Sequence, residues 1–466
     1  MSRSPCAALA THGICLESSV LPRSVVRGAA HYFHQLPVLQ SCRPTQTQAF
    51  PMSLPIVTLD TNEKWDCHQC GICCRGSLVP LSKADAQRLR SQQWEKHPGY
   101  EDVQIMVPHR GAESKLRLAH RPDGSCVFLK PDGLCFIHSM SGLEAKPTIC
   151  RTFPMQLVPQ DKHAVLTYRR ACPSAAADKG MEVKDRIPGI KKLVKADRLK
   201  ADPIVPPLLK SGEQRDWKTI RSVLESVDSL LRDERYPPVR RVVHALRFAR
   251  NIDKAKTRRM SDSDVRDLTQ AVAELAPQES KPFFDDRKPP KGISKAMFRL
   301  MAVSVVRLHP YCKHESNWAT RFDLAKTAWK CFRGKGQLPV FDDALPKASF
   351  ESLEQPIGNQ APEVYLPLTR LIETNSATFL YALANRKGWT VTDSIRGLAL
   401  LFPIGMWLLR WEASGQKPAV EAMLNMIVAL DRSQGYQPLC GLQQRLKLSM
   451  LGFNGELERL AVWYVS

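Results

Sequence analysis

The residues best suited to chemistry are sulfurs. The stretch Cys67-His-Gln-Cys70-Gly-Ile-Cys73-Cys74 is followed by Cys126, Cys135, His138, Cys150 and Cys172. Eight of the 14 cysteines therefore fall within about a quarter of the 466 residues, where even scatter would place about three. Two residues between cysteines let one tight turn aim two sulfurs at one ion, and Gly71 lets the backbone fold closely there. The ligating species is the thiolate, which suits Zn²⁺ or iron. The expected metal ligands are Cys67, Cys70, Cys73, Cys74, Cys126, Cys135, Cys150 and Cys172. Cys73 and Cys74 are adjacent, and neighbours rarely bind one ion without strain. They could serve two metals, one cluster with several irons, or act as one ligand with a thiol behind it. His138 is either a further ligand or a solvated histidine at a strand end.

Other readings of these cysteines fit less well. Haem attachment needs a histidine directly after the second cysteine, but Gly71 follows Cys70 and Cys74 follows Cys73. The bacterial ferredoxin run fits Cys67, Cys70 and Cys73, then meets Ser77 at its fourth place. Cys172-Pro173 supplies the Cys-Pro pair of that run, but a hundred residues late. A radical S-adenosylmethionine motif also ends at Ser77. A disulfide framework belongs to short secreted chains, and a dithiol redox pair would leave six of the cysteines without a role.

The blocks Cys-x2-Cys-Gly-x-Cys-Cys, Cys126-Val-Phe-Leu, Gly133-Leu-Cys135-Phe-Ile-His138 and Lys146-Pro147-Thr-Ile-Cys150-Arg151-Thr-Phe153-Pro154 occur in this order. In that order and spacing the chain resembles the zinc- or iron-chelating CxxCxxCC cysteine-cluster family, which includes the flagellin lysine N-methylases. The resemblance spans roughly residues 64–175. It implies a zinc or iron centre, with an Fe–S cluster among the alternatives. It also implies an S-adenosylmethionine-dependent protein lysine methyltransferase acting on a protein such as flagellin. The alternative is a non-catalytic zinc- or iron-binding protein for metal handling or partner docking. No glycine-rich S-adenosylmethionine or dinucleotide loop, phosphate loop, Gly-x-Ser-x-Gly or His-Glu-x-x-His stands in the chain, so no catalytic base is named.

Positioning these sulfurs needs short elements. Ser82 with Asp85 forms a capping-box pattern before a short helix. Lys115–Leu118 and Lys162–Arg169 alternate like strands. Cys126–Ile137 reads as a hairpin turning at Pro131-Asp132-Gly133, which would bring Cys126 and Cys135 together. The ligands then come from a turn, a hairpin and two loops, and the metal carries part of the stability. Lys146-Pro147 stiffens the approach to Cys150. Arg151 could pair with an acidic group or a substrate carboxylate, or brace the thiolates.

The predicted fold class is α+β: residues 56–180 form an irregular metal-binding domain and residues 181–466 a helical one. Residues 1–55 are expected to be a disordered extension or a misassigned start before Met52, without a signal-peptide core. Residues 173–212 look like a linker. Helical periodicity marks 213–232, 239–250, 265–275, 293–308, 316–333, 362–386, 392–413, 418–432, 440–450 and 455–464. Loops are expected at 281–291 and 334–360. The uncharged run Gly397–Leu409, with Pro403 and Gly405 inside, is too short to span a bilayer of about 30 Å, so it reads as a kinked core helix and no transmembrane segment is expected. Cys312, Cys331 and Cys440 read as ordinary buried residues.

Formal net charge is +21, about half of it carried by residues 181–260. Such a surplus favours polyanionic or acidic partners, or simply solvates helix faces. Nothing there resembles a nucleic-acid-binding motif. Thiolate-rich sites persist in reducing compartments, so a cytoplasmic location is expected.

Overall fold

The computed structural model describes residues 54–465, apart from 60, 76, 110–114, 197–203, 308–317, 339–344, 359, 384–388 and 433–441. These residues lie in one compact unit, Pro44–Ser466. The expectations for residues 1–53, Cys312 and Cys440 fall outside the described residues.

The fold is α+β. Short strands and turns fill the first part, and helices fill the rest. The strands are β1 Ile56–Thr58, β2 Lys64–Trp65, β3 Pro80–Leu81, β4 Met106–Pro108, β5 Leu116–Leu118, β6 Met155–Pro159, β7 Ala164–Tyr168 and β8 Met181–Glu182. Three small sheets result: β1-β7-β6, β2-β8 and β3-β5-β4. Among the pairings of these strands, β1–β7 alone is parallel, with Ile56 opposite Ala164. β7 is buried along its whole length. Buried Glu63 secures it, accepting from Thr167 Oγ1 at 2.7 Å and from the Tyr168 N–H at 3.1 Å.

Helices of the first part are short: α1 Lys83–Ser91, α2 Phe136–Ser141, α3 Thr148–Thr152, α4 Pro173–Ala176 and α5 Ile187–Ala196. The Ser82–Asp85 capping box forms as expected. Two expectations are corrected here. The segment after Pro131-Asp132-Gly133 is a tight turn leading into α2 rather than a second strand. Lys130 N–H reaches Leu134 O at 2.8 Å, and a single bridge joins Leu129 to Cys135. Helical packing of Ile137 into the core overrides the β-rich look of Cys135-Phe-Ile. The linker-like 173–212 also holds α4, β8 and α5.

The second part comprises α6 Trp217–Leu231, α7 Pro238–Lys254, α8 Asp262–Asp285, α9 Gly292–Arg307, α10 Trp318–Arg333, α11 Phe350–Leu353, α12 Pro362–Ala377, α13 Leu380–Leu383, α14 Val391–Ala413, α15 Ala419–Arg432, α16 Leu442–Gly452 and α17 Glu456–Trp463. Side-chain caps start several of them: Asp216 on α6, Ser261 on α8 and Thr390 on α14. α8 runs ten residues beyond the expected end at 275 and passes through Pro277 and Pro282. Packing outweighs the two lost backbone bonds: Phe283 and Phe284 pack against the core, beneath Arg247 and Arg240. The expected 362–386 helix divides into α12 and α13 at Phe379, whose φ is 58°.

α14 is the axis of the helical part, touching α7, α12, α13, α15, α16 and α17. Its Trp407 and Trp411 rings meet edge to face, 5.8 Å apart. It is long and apolar enough to cross a membrane by length and composition alone, yet 94% of that apolar window is buried inside the protein.

The two parts share a core. Val158, Val165 and Ala176 join the apolar cluster of the helices. Arg170, fully buried, donates to Ala175 O at 3.1 Å, to Asp178 Oδ1 at 3.1 Å and to Thr374 Oγ1 on α12 at 3.2 Å. Asp178 also accepts from Arg370 at 2.7 Å.

Candidate metal centre

The eight expected ligands reach one place. Cys67, Cys70, Cys73, Cys74, Cys126, Cys135, Cys150 and Cys172 all line a single cavity of about 1390 Å³. None of the eight is in a disulfide. They arrive from six points along the chain. Cys67 and Cys70 sit on the loop after β2, and Cys73 and Cys74 on a single 3₁₀ turn, Ile72–Cys74. Cys126 follows β5. Cys135 immediately precedes α2, Cys150 lies within α3 rather than in a loop, and Cys172 immediately precedes α4.

Local chemistry explains each placement. Gly71 takes φ +66°, which starts the tight 3₁₀ turn. The Cys126 N–H donates to Cys74 O at 2.7 Å, tying two cysteine strips together. Asp85 accepts from the Thr148 N–H at 2.9 Å and from Thr148 Oγ1 at 3.1 Å, which seats α3 and with it Cys150. On the other wall, His68 Nδ1 lies 2.8 Å from Ser174 Oγ, and the Asp66 N–H donates to Lys179 O at 3.0 Å.

Two glycines let the walls touch the Cys67–Cys70 loop. A Cβ on Gly133 would stand 2.5 Å from Gln69 O, and one on Gly180 would stand 2.5 Å from the Asp66 nitrogen. Both glycines have positive φ, +83° and +121°. The loop is gripped from both sides by backbone.

The Cys73 and Cys74 sulfurs lie 3.9 Å apart. Among the described residues, no three His, Cys, Asp or Glu side chains stand close enough to hold a single ion.

Burial holds Cys126, Cys150 and Cys172 in the thiol form. It pushes Cys126 up to about 11 and Cys150 up to about 12. The contact with Cys74, then burial, raises Cys73 well above the usual thiol range. Burial raises Cys172 as well, against the pull of nearby backbone N–H groups and the Trp65 indole. Cations work the other way. Lys146 faces Cys73 and Cys150, Arg432 faces Cys73, and Arg121 faces Cys126. A bound cation would supply the remaining charge that thiolates need, so the soft donors and their surroundings fit zinc or iron.

His138 lies on α2, exposed, and lines the cavity beside the cysteines. Burial and then Lys146 hold its ring below the usual histidine value. Arg151 settles one alternative: its guanidinium is buried and pairs with Glu144 at 2.9 Å. Cys331 is fully buried on α10 and away from the cavity, as expected. Sequence reasoning gave Lys146 only a stiffening role and missed Arg432 and Asp431. The last two lie some 260 residues after Cys172 and carry no local signal.

Residues 66–173 match the CxxCxxCC family, described as "Putative zinc- or iron-chelating domain". The match covers under a quarter of the chain and contains all eight cysteines of the cavity. No curated protein and no solved structure matches the chain.

Proposed function

We propose that this protein binds zinc or iron through the cavity thiolates, and that the metal braces the cavity walls for docking a partner or handling the ion. One observation carries the reading: eight unpaired thiols from six separate points face one cavity. Free thiols gain little from one another, and a shared cation rewards bringing them together. A thiolate-bound metal supplies a cross-link between segments and a local positive charge. Thiolate ligands filling every coordination position favour this structural role over catalysis, which needs an open position. The free thiols also favour a reducing compartment such as the cytoplasm.

The cavity is far larger than an ion. Its wall carries Lys146, Arg151, Arg169, Arg186, Lys192 and Arg432 against Asp66 and Glu144, and its rim exposes Leu78, Leu143 and Ile149. Such a wall suits an acidic, partly apolar partner surface.

Methyl transfer to a protein lysine, as in flagellin N-methylases, is the second reading, carried by the resemblance of the cysteine blocks. The metal-binding reading rests on the thiols that line the cavity, the second on the resemblance alone.

The test is elemental analysis of the reduced full chain after loading with zinc or ferrous iron and desalting. Retained metal that a chelator removes supports the proposal, and metal-free protein overturns it. Calorimetry with S-adenosylmethionine addresses the second reading: heat of binding supports it, and no heat at high concentration discards it.

A further inference from the structure

We infer that the eight cysteines form two adjacent four-thiolate centres, an inner one of Cys74, Cys126, Cys135 and Cys150 and an outer one of Cys67, Cys70, Cys73 and Cys172. This rests on the metal-binding reading above and adds a number and a partition to it.

Capacity is the first argument. A structural zinc ion takes four ligands, and so does one iron–sulfur cluster. A single centre would leave four thiols lining the same cavity without an ion.

Packing sets the inner four apart from Cys172. Cys74, Cys126, Cys135 and Cys150 belong to one apolar cluster, around Trp94, Phe128 and Ile137. Cys172 belongs to a different one, with Trp65, Phe153 and Tyr168. The inner four are held by their own contacts, the Cys126–Cys74 backbone bond and the Leu129–Cys135 bridge. The outer loop touches the Gly133 turn but hydrogen-bonds to the Cys172 turn, through His68–Ser174 and Asp66–Lys179.

Spacing supports the outer set. Cys67, Cys70 and Cys73 follow the Cys-x2-Cys-x2-Cys run of a ferredoxin, and the fold places the Cys-Pro pair, Cys172-Pro173, on the same cavity. The pattern that breaks at Ser77 along the chain is completed in space. Cys73 and Cys172 also lie within reach of each other's charge. Cys73 is within similar reach of Cys126 and Cys150, so the centres are neighbours, parted at the Cys73–Cys74 pair.

No three of these sulfurs stand close enough for one ion, which a multi-iron cluster does not require. Thiolates around a multi-iron cluster stand farther apart than those on one ion, because iron and sulfide fill the space between. For zinc, side-chain rotation would draw each set of four together.

The test is metal stoichiometry on the reduced full chain, loaded anaerobically with zinc alone or with ferric iron, sulfide and a thiol reductant. Two zinc ions or two clusters per chain are expected. Cys135→Ser with Cys150→Ser, and separately Cys67→Ser with Cys70→Ser, should each halve the metal content. In the first variant zinc should still shield the exposed Cys67 and Cys70 from alkylation. One equivalent in the unaltered chain overturns the partition, whether or not the variants fold. So does complete loss of metal in a variant that keeps its native circular dichroism. No metal in the unaltered chain overturns the metal-binding reading itself, a result distinct from either.

Discussion

Asp431, at the end of α15, accepts from the Ala171 N–H at 2.6 Å and from Arg169 Nε at 2.9 Å. Its carboxylate is fully buried, and the residue after Ala171 is Cys172. The last wall of the cysteine cavity is thus hung from the helical core. Asp431→Ala would leave the buried Ala171 N–H without its acceptor and take one partner from Arg169, at a cost of about 1–3 kcal/mol. Urea unfolding of the purified variant measures this; a loss below about 1 kcal/mol would mean the contact is dispensable.

Removing the metal should loosen one part of the chain. Apart from Val158 and Val165, the cysteine segment rests on small apolar clusters, whereas α7 and α14 lie in the large one. With zinc bound, amides of residues 66–173 should exchange hydrogen more slowly than after chelation, and those of α14 should not change. Hydrogen exchange read by mass spectrometry checks both halves of the statement. Uniform change along the chain would contradict it.

His244 on α7 gives the fold an acid limit. Its ring is fully buried and both nitrogens lack a partner. The Tyr236 ring meets it edge-on at 4.7 Å. Burial, then nearby Arg240, lowers its pKa from 6.5 to about 4, with only Asp233 pulling upward. Above pH 6.5 neither state takes the proton and stability is whole. As pH falls toward 4 the unfolded chain takes it and the folded one does not, so about 3 kcal/mol is lost. His244→Leu should flatten that part of the stability profile, as measured by denaturant melts between pH 4 and pH 7.

Gly133→Ala tests the grip on the metal loop. The new Cβ would meet Gln69 O at 2.5 Å, from a φ of +83°. Strain of about 1–3 kcal/mol should result, with weaker zinc retention in competition against a chelating dye. Gly124→Ala has φ +80° but open space around it, so it should carry strain with no loss of zinc.

Much of this architecture was legible in the sequence. The cap at Ser82 is a local device, and it forms as its residue types predict. Amphipathic stripes placed α6, α7 and α14–α17 to within a few residues, because burial of one face decides a helix. The prolines of α8 misled, since its continuation depends on Phe283 and Phe284 finding a core built by distant helices. The set of cavity cysteines was readable from density and spacing. Its division was not, since that depends on which apolar cluster each sulfur joins. Arg432, which donates to Ile72 O, and Asp431 have no signature short of the fold itself.

β7 lies between β6 and β1, and β1 ends eight residues before the cysteine-family match begins. Glu63, which holds the end of β7, also precedes that match. A transplant of residues 66–173 onto another scaffold would therefore leave Ala-Val-Leu-Thr-Tyr with a naked hydrogen-bonding edge and lost cover. An apolar edge of that kind recruits other chains, so the graft should aggregate before its sulfurs meet an ion, and a portable version has to begin at or before Ile56.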